Sequence, residues 1–116
     1  MVTHPPKRGD VWVADLGEPI GHEQGHIRPA IIMSADHLNA SRLGLVIAVP
    51  LTRTRRISAT HIEVEPGASG LSEISYAKVE DVRSLSTDRL IRRRGFVGAD
   101  VLHRIGRTLL TLLELR

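Results

Sequence analysis

The chain has 116 residues, a formal net charge of +3, no cysteine, and one residue each of tryptophan, tyrosine and phenylalanine. This length suits one folded domain over residues 1–116, and the lack of cysteine excludes disulfides and thiolate metal sites. With so few aromatic rings, platforms for base stacking are scarce. A nucleic-acid partner would be held mainly through its phosphates and base edges.

Alternating or continuous apolar segments predict three strands in the first half of the chain: Asp10–Leu16, Ile27–Met33 and Leu45–Leu51. The last of these is apolar on both faces, which is typical of a central strand, and Pro50 lies near its end where a missing donor is tolerated. Residues 17–26 form a loop made flexible by glycine, and residues 36–44 form a turn or short helix.

The second half begins with a strand from His61 to Glu65, a turn at 66–70, and one or two strands between Ile74 and Leu85. Gly95 and Gly98 punctuate a short segment. From Ala99 onward the apolar period becomes 3.6, which predicts a C-terminal helix with one apolar face. Its predicted face consists of Val101, Leu102, Ile105, Leu109, Leu112 and Leu113. The fold class is therefore mainly β with a C-terminal α-helix, in a small barrel or curled sheet.

Basic residues are concentrated in two parts of the chain. Residues 83–116 contain eight Lys or Arg against three Asp or Glu, and a second basic cluster is Arg53-Thr54-Arg55-Arg56. Such surfaces favour a polyanionic partner. Two alternatives remain, because a basic cluster can be an ordinary solvated face or can protect a strand edge against aggregation.

The longest apolar run, Leu43 to Leu51, is far too short to span a bilayer, and the N-terminal sequence has no signal-peptide pattern. We therefore expect no membrane association and a cytoplasmic location.

The segment from Gly21 to Ser34 combines a polar, glycine-rich loop with an apolar strand, and Arg28 lies at the junction, before Pro29. Proline disfavours the helical region for the preceding residue, so Arg28 should be extended. A permanently charged guanidinium at the mouth of a strand is suited to anion binding. A structural cation satisfied by carbonyl groups is the simpler alternative.

The same loop contains His22-Glu23-Gln24-Gly25-His26, an H-E-x-x-H sequence. This motif binds zinc only when a helix places its histidines one turn apart. Pro19, Gly21 and Gly25 argue against a helix between residues 17 and 27. We therefore expect no metal and no other cofactor.

Four spaced segments resemble the MazF/PemK toxins, the ribonucleases of toxin–antitoxin pairs. They are Arg8-Gly9-Asp10-Val11-Trp12, Gly21-x-Glu23-Gln24-Gly25-x-x-Arg28-Pro29, Val49-Pro50-Leu51-Thr52, and Glu80-Asp81-Val82-Arg83-Ser84-Leu85 followed by Asp88-Arg89-Leu90. The likeness covers nearly the whole chain in the same order. It implies a CcdB/PemK-like barrel related to SH3-type barrels, a homodimer, metal-independent cleavage of single-stranded RNA, and inhibition by a cognate antitoxin.

By this resemblance the catalytic arginine and threonine correspond to Arg28 and Thr52, and the loop contacts to Glu23 and Gln24. Arg53 and Thr54 follow the catalytic threonine in the basic segment and are predicted to bind RNA. Asp81 is predicted to bind RNA too, although many relatives have glutamine there. His22 and His26 also depart from the family, where small residues are more usual.

RNA can be cleaved without metal because its 2′-hydroxyl is a nucleophile next to the phosphorus. The guanidinium of Arg28 and the hydroxyl of Thr52 suit stabilisation of the phosphate, although Thr52 could be an ordinary strand former. The general base is open: Glu23 is favoured by its motif, His22 and His26 are candidates, and Glu23 could be only a solvated loop residue. The competing function is a non-enzymatic binder on the same fold, either a CcdB-like gyrase poison or a nucleic-acid-binding barrel.

Overall fold

The computed structural model describes residues 4–115, so the domain predicted over 1–116 includes four residues, 1–3 and 116, outside the described range. The elements in order are β1 (Asp10–Asp15), β2 (Ile27–Ile32), α1 (Asp36–Asn39), β3 (Leu45–Thr52), β4 (His61–Val64), β5 (Ser75–Lys78), β6 (Arg83–Ser86), β7 (Leu90–Phe96) and α2 (Ala99–Leu112). Short 3₁₀ helices, Val79–Asp81 and Thr87–Arg89, join β5 to β6 and β6 to β7.

The predicted central strand, β3, organises the sheet. One edge of β3 pairs with β2, and the opposite edge is divided between β6, opposite Leu45–Ala48, and β5, opposite Leu51–Thr52. Strands of this kind need apolar side chains on both faces, and Val46 and Ala48–Leu51 are all buried. Pro50 is tolerated inside the pairing with β2, opposite Ala30.

The mainly β class with a C-terminal helix is confirmed, but the sheet is not a closed barrel. Its antiparallel pairings follow the path β4-β5-β3-β2-β1-β7, with β6 attached to β3. Within residues 4–115 no pairing joins β4 to β7, so the path keeps two ends. The predicted barrel was therefore too specific, because closure depends on strand tilt and shear, which apolar alternation does not determine.

Apolar side chains fill both faces of this curled sheet. On one face, Val11, Ile31, Val49 and Leu51 pack with Ile105 of α2. The opposite face has a second cluster that includes Trp12, Ala30, Val46, Ala48 and Leu85. Strands β1, β2 and β3 lie between the two clusters, which explains why their sequences are apolar on consecutive positions.

Helix α2 covers the first face with part of its predicted apolar stripe. Ile105 is fully buried, and Val101, Leu102 and Leu109 pack against the core. Leu112 and Leu113, which belong to the same predicted face, are 42% and 54% exposed. The last turn of the helix therefore extends beyond the sheet and leaves its leucines uncovered.

Strand β7 was not predicted from the sequence. Its sequence, Leu-Ile-Arg-Arg-Arg-Gly-Phe, lacks the clean alternation of apolar and polar residues that indicates a strand. Two register shifts interrupt its pairing with β1, so its side chains do not alternate regularly between the two faces. These shifts leave Ile91 and Arg94 without partners opposite them on β1. Such bulges redirect side chains. The bulge at Arg94 matters because the Arg94 side chain lines the pocket described below.

Candidate active site

Arg28 and Thr52, predicted from separate motifs, line the same pocket of about 240 Å³. The register of β2 and β3 explains this meeting, because Ala30 pairs with Pro50 and Ile31 with Val49. The observed pairs end at Ala30 and Pro50, and the same register continued by two residues directs Arg28 and Thr52 to one face of the sheet. Two paired strands thus place a guanidinium and a hydroxyl in the same pocket.

Arg28 has the properties of a group available to a ligand. It lies in β2, where its backbone pairs with Ala14, and its side chain is half-buried at the pocket wall. Its guanidinium makes no hydrogen bond or ion pair with another residue of the described range, 4–115. The alternative of a structural arginine satisfied by carbonyl groups is therefore not supported by these contacts. Five donors remain for an anion.

Thr52 is the last residue of β3 and is buried apart from its contact with the pocket. Its Oγ1 accepts a hydrogen bond from the backbone N–H of Thr54 at 3.1 Å. This contact orients the oxygen and leaves its own hydrogen free to donate, since a hydroxyl can accept and donate at once. Thr54 is exposed and, in this structure, supports Thr52 through its backbone.

Two more arginines and a carboxylate complete the pocket. Arg53 donates to Glu73, with 3.1 Å between Nη1 and Oε2, at the mouth of the pocket. Arg94 reaches the pocket from β7 and donates through Nε and Nη2 to the carbonyl of Gly70. The pocket therefore contains three guanidinium groups and one carboxylate, so its potential is positive and suits a phosphate.

Gly70 is required where Arg94 approaches the chain. Its φ is +74°, and a Cβ built on it would lie 2.2 Å from the carbonyl oxygen of Arg94. Only glycine allows both the left-handed conformation and this close approach. Arg94 is thus fixed by backbone geometry at a bulge.

Glu23 and Gln24 lie in a second pocket, of about 360 Å³, with His22, Arg56 and Lys78. The Oε1 of Glu23 accepts from the backbone N–H of Ile20 at 2.9 Å. Glu23 is therefore not among the residues that line the Arg28 and Thr52 pocket, and its role as base stays a prediction.

Asp81 holds the loop in place. Its Oδ2 accepts from the backbone N–H of Gln24 at 2.7 Å, and its carboxylate pairs with Arg83 at 2.7 Å. Arg83 also donates to the carbonyl of Gln24 at 2.9 Å. The Asp81 side chain is only 11% exposed, so its observed contacts are with the protein, and its binding to RNA stays a prediction.

The predicted absence of a helix around His22 and His26 is confirmed. Residues 17–26 contain no helix, and His26 has a φ of 62°, outside the helical region. The two histidines therefore do not lie one turn apart on a helix.

Neither helix in the described part of the chain has the length and apolarity that crossing a bilayer requires.

Comparison with known proteins decides the family. The model of the PemK-like, MazF-like toxins of type II toxin–antitoxin systems matches residues 7–113. The chain belongs to this family. It is 32% identical to endoribonuclease MazF9 of Mycobacterium tuberculosis, over 94% of this chain and 97% of the relative. It is 31% identical to endoribonuclease MazF2 of Mycobacterium bovis, over 93% and 96% of the two chains.

Solved structures of the family have the same architecture. The crystal structure of MazF from Deinococcus radiodurans superposes with a TM-score of 0.83 at 28% identity, covering 96% of this chain and 98% of that one. A mycobacterial endoribonuclease in complex with its cognate antitoxin gives a TM-score of 0.74 at 26% identity, covering 97% and 96%. The resemblance inferred from the four motifs is confirmed.

This member of the PemK/MazF family also has a buried histidine that sequence reasoning missed. The side chain of His61 is 3% exposed, and its Nε2 lies 3.1 Å from Oε2 of Glu80. Thr60 donates to the other carboxylate oxygen at 2.8 Å. Burial alone would raise the pKa of Glu80, but the hydrogen bonds from Thr60, its own backbone and His61 outweigh burial, so the pKa is lowered.

Replacing Glu80 by glutamine should make the free energy of unfolding of this toxin-family domain depend less on pH in the acidic range. A lowered folded-state pKa contributes stability above the unfolded glutamate pKa of about 4.3, and this contribution is lost as pH falls through the folded pKa. Glu80→Gln should therefore lower the unfolding midpoint at pH 7 and differ less from wild type at pH 3. Thermal unfolding measures both, with the exposed Glu63→Gln as control. An equal deficit at both pH values would contradict the linkage.

Proposed function

We propose that the chain is the toxin of a type II toxin–antitoxin pair and an endoribonuclease that cleaves single-stranded RNA, thereby inhibiting translation and growth. The main support for this proposal is that Arg28 and Thr52 line the same positively charged pocket. Relatives over nearly the full length are endoribonucleases by name. The competing hypothesis of a pure binder has no comparable support, because such a protein does not need a hydroxyl paired with a free guanidinium.

In the proposed reaction, the 2′-hydroxyl attacks the adjacent phosphorus and no metal takes part. Arg28 donates from two nitrogens to the non-bridging phosphate oxygens, which become more negative as the bond forms. Thr52 donates its free hydrogen to one of the same oxygens. Both groups are held on paired strands, so little reorganisation is needed during the reaction.

RNA would extend from this pocket towards the loop pocket of Glu23 and Gln24. Three segments contribute to both pockets: residues 21–28, residues 52–56 and strand β5. Arg53 and Thr54 lie on the connecting segment, where phosphate contacts would position the strand. We assign Gln24 to contact with a base edge and Asp81 to holding Gln24 in position.

Two protein partners belong to the proposal. One is a cognate antitoxin, since a relative of similar structure is described in complex with its own. The other is a second copy of this chain, because Leu112, Leu113 and Leu115 are all exposed at the end of α2, and grouped exposed apolar residues favour an interface. Sedimentation at micromolar concentration should then give twice the mass of the chain.

We place the toxin in the cytoplasm, where its RNA substrate is translated.

The function is tested by the chemistry of its products. Cleavage of single-stranded RNA should leave a cyclic phosphate on the upstream fragment and a 5′-hydroxyl on the downstream fragment, and it should survive excess EDTA. A matched RNA with 2′-deoxyribose at the cut site should be inert, because the nucleophile is missing. A 5′-phosphate on the downstream fragment, or activity lost to EDTA and restored by zinc, would refute this mechanism.

A further inference from the structure

The pocket of Arg28 and Thr52 contains a single carboxylate, and no prediction from the sequence assigned it a role. The side chains lining this pocket that are able to exchange protons are those of Arg28, Arg53, Arg94 and Glu73, besides serine and threonine hydroxyls. Guanidinium groups stay protonated in proteins and hydroxyls are very weak acids. Among the described residues around the pocket, only Glu73 is therefore suited to accept a proton near neutral pH.

We propose that Glu73 is the general base that removes the proton from the attacking 2′-hydroxyl. The inference rests on the proposed function and assigns the role that the sequence left open. The favoured sequence candidate, Glu23, lies in the loop pocket with its Oε1 bound to the N–H of Ile20. The histidines of that loop, His22 and His26, are likewise absent from the lining of the Arg28 and Thr52 pocket.

The contacts of Glu73 suit a base that is oriented at one oxygen and free at the other. Its Oε2 accepts from Nη1 of Arg53 at 3.1 Å. Its Oε1 has no hydrogen-bond partner within residues 4–115, and the side chain is 63% exposed at the pocket mouth. Ser75 fixes the backbone by donating to the carbonyl of Glu73 at 3.2 Å. A hydroxyl entering the pocket can thus reach the free oxygen.

Water is the only other reactant in this step. Oε1 of Glu73 takes the 2′-hydroxyl proton as the 2′-oxygen forms its bond to phosphorus. The bond from phosphorus to the 5′-oxygen breaks, and that oxygen leaves with the electron pair and takes a proton from water. The hydroxide formed from water then takes the proton from Glu73 and restores the carboxylate. The products are a cyclic phosphate and a 5′-hydroxyl. Arg28 and Thr52 stabilise the negative oxygens, and Arg53 keeps the carboxylate at the mouth.

A purely structural ion pair between Arg53 and Glu73 is the alternative to be excluded. Both partners are more than half exposed, and pairs of this kind contribute little to stability. Glu73→Gln should therefore fold normally, which unfolding measurements would verify. A catalytic base and a structural partner then differ in how the cleavage rate depends on pH, because a base must be deprotonated to act.

The experiment measures single-turnover cleavage at saturating enzyme between pH 3.5 and pH 8 for wild type, Glu73→Gln, Glu23→Gln and the exposed control Glu65→Gln. The wild-type rate should rise with pH and then level off. Glu73→Gln should be slower by about a hundredfold on the plateau, a typical contribution of a positioned base, and should lose the acidic limb. Glu23→Gln and Glu65→Gln should keep that limb. A Glu73→Gln profile within threefold of wild type and with the same limb would overturn the assignment.

A second substrate separates base from acid. An RNA with sulfur in place of the 5′-bridging oxygen has a leaving group that needs no proton. Glu73→Gln should be as defective on this substrate as on ordinary RNA if the missing step is deprotonation of the 2′-hydroxyl. Recovery of the wild-type rate would instead make Glu73 the acid and overturn the proposal. Failure of the wild-type protein to cleave any RNA would refute the proposed function itself, which is a different result.

Discussion

Replacing Arg28 by lysine should lower the single-turnover rate of RNA cleavage by about 10²–10³-fold, the usual loss when one donor to a transition-state oxygen is removed. Lysine keeps the positive charge but lacks the planar fork that binds two phosphate oxygens. Arg53 and Arg94 stay in the pocket and preserve most of the attraction for RNA. RNA affinity should therefore fall only a few-fold, because long-range attraction depends on charge.

The measurement compares cleavage rate and RNA affinity for Arg28→Lys and for Arg42→Lys, a matched change at an exposed arginine that is not part of the pocket lining. The control should behave as wild type in both assays. Equal losses in affinity and rate for Arg28→Lys would make Arg28 a simple binding cation. Near-normal cleavage would remove it from the catalytic site.

The strands around the site could be predicted because their sequences alternate or are apolar throughout. The loop and the two strand ends, which contain Arg28 and Thr52, followed from motif spacing. Neither source of information contains the register of β2 against β3. That register, set by packing of both faces of the sheet, brings the two residues into one pocket.

Glu73 and Arg94 could not be predicted for physical reasons. Glu73 lies in the irregular connection between β4 and β5, where no period indicates the direction of a side chain. Arg94 appears as one arginine of three, and only the bulge in β7 distinguishes it from its neighbours. The sequence shows Gly70 only as one glycine among ten. Its positive φ and its contact with Arg94, 24 residues away, are seen only in the structure.

The contacts of a motif residue bear on the role that can be assigned to it. Asp81, where many relatives have glutamine, was predicted to bind RNA, and this role stays a prediction. In the structure its carboxylate accepts from the N–H of Gln24 and pairs with Arg83, and carboxylates with little exposure need such partners. A motif therefore identifies a position near the site, and the structure adds the protein groups that the side chain at that position contacts.

Replacing Thr52 by valine should also lower cleavage by about 10²–10³-fold, because the hydroxyl that donates to the phosphate is lost while the β-branched shape is kept. Valine also leaves the N–H of Thr54 without its acceptor, which should cost about 1 kcal/mol in the free energy of unfolding. Thr52→Ser keeps the hydroxyl and is the matched control. Its rate should stay within about tenfold of wild type, since only a methyl group is removed.

Combining Thr52→Val with Arg28→Lys tests whether the two groups act on the same oxygens. If they do, the double variant should lose less than the product of the two separate losses, because the second change removes an interaction that the first has already weakened. Single-turnover rates at saturating enzyme for the four proteins complete the cycle. Fully multiplicative losses would mean that Arg28 and Thr52 act independently, and a normal rate for Thr52→Val would remove the hydroxyl from the reaction.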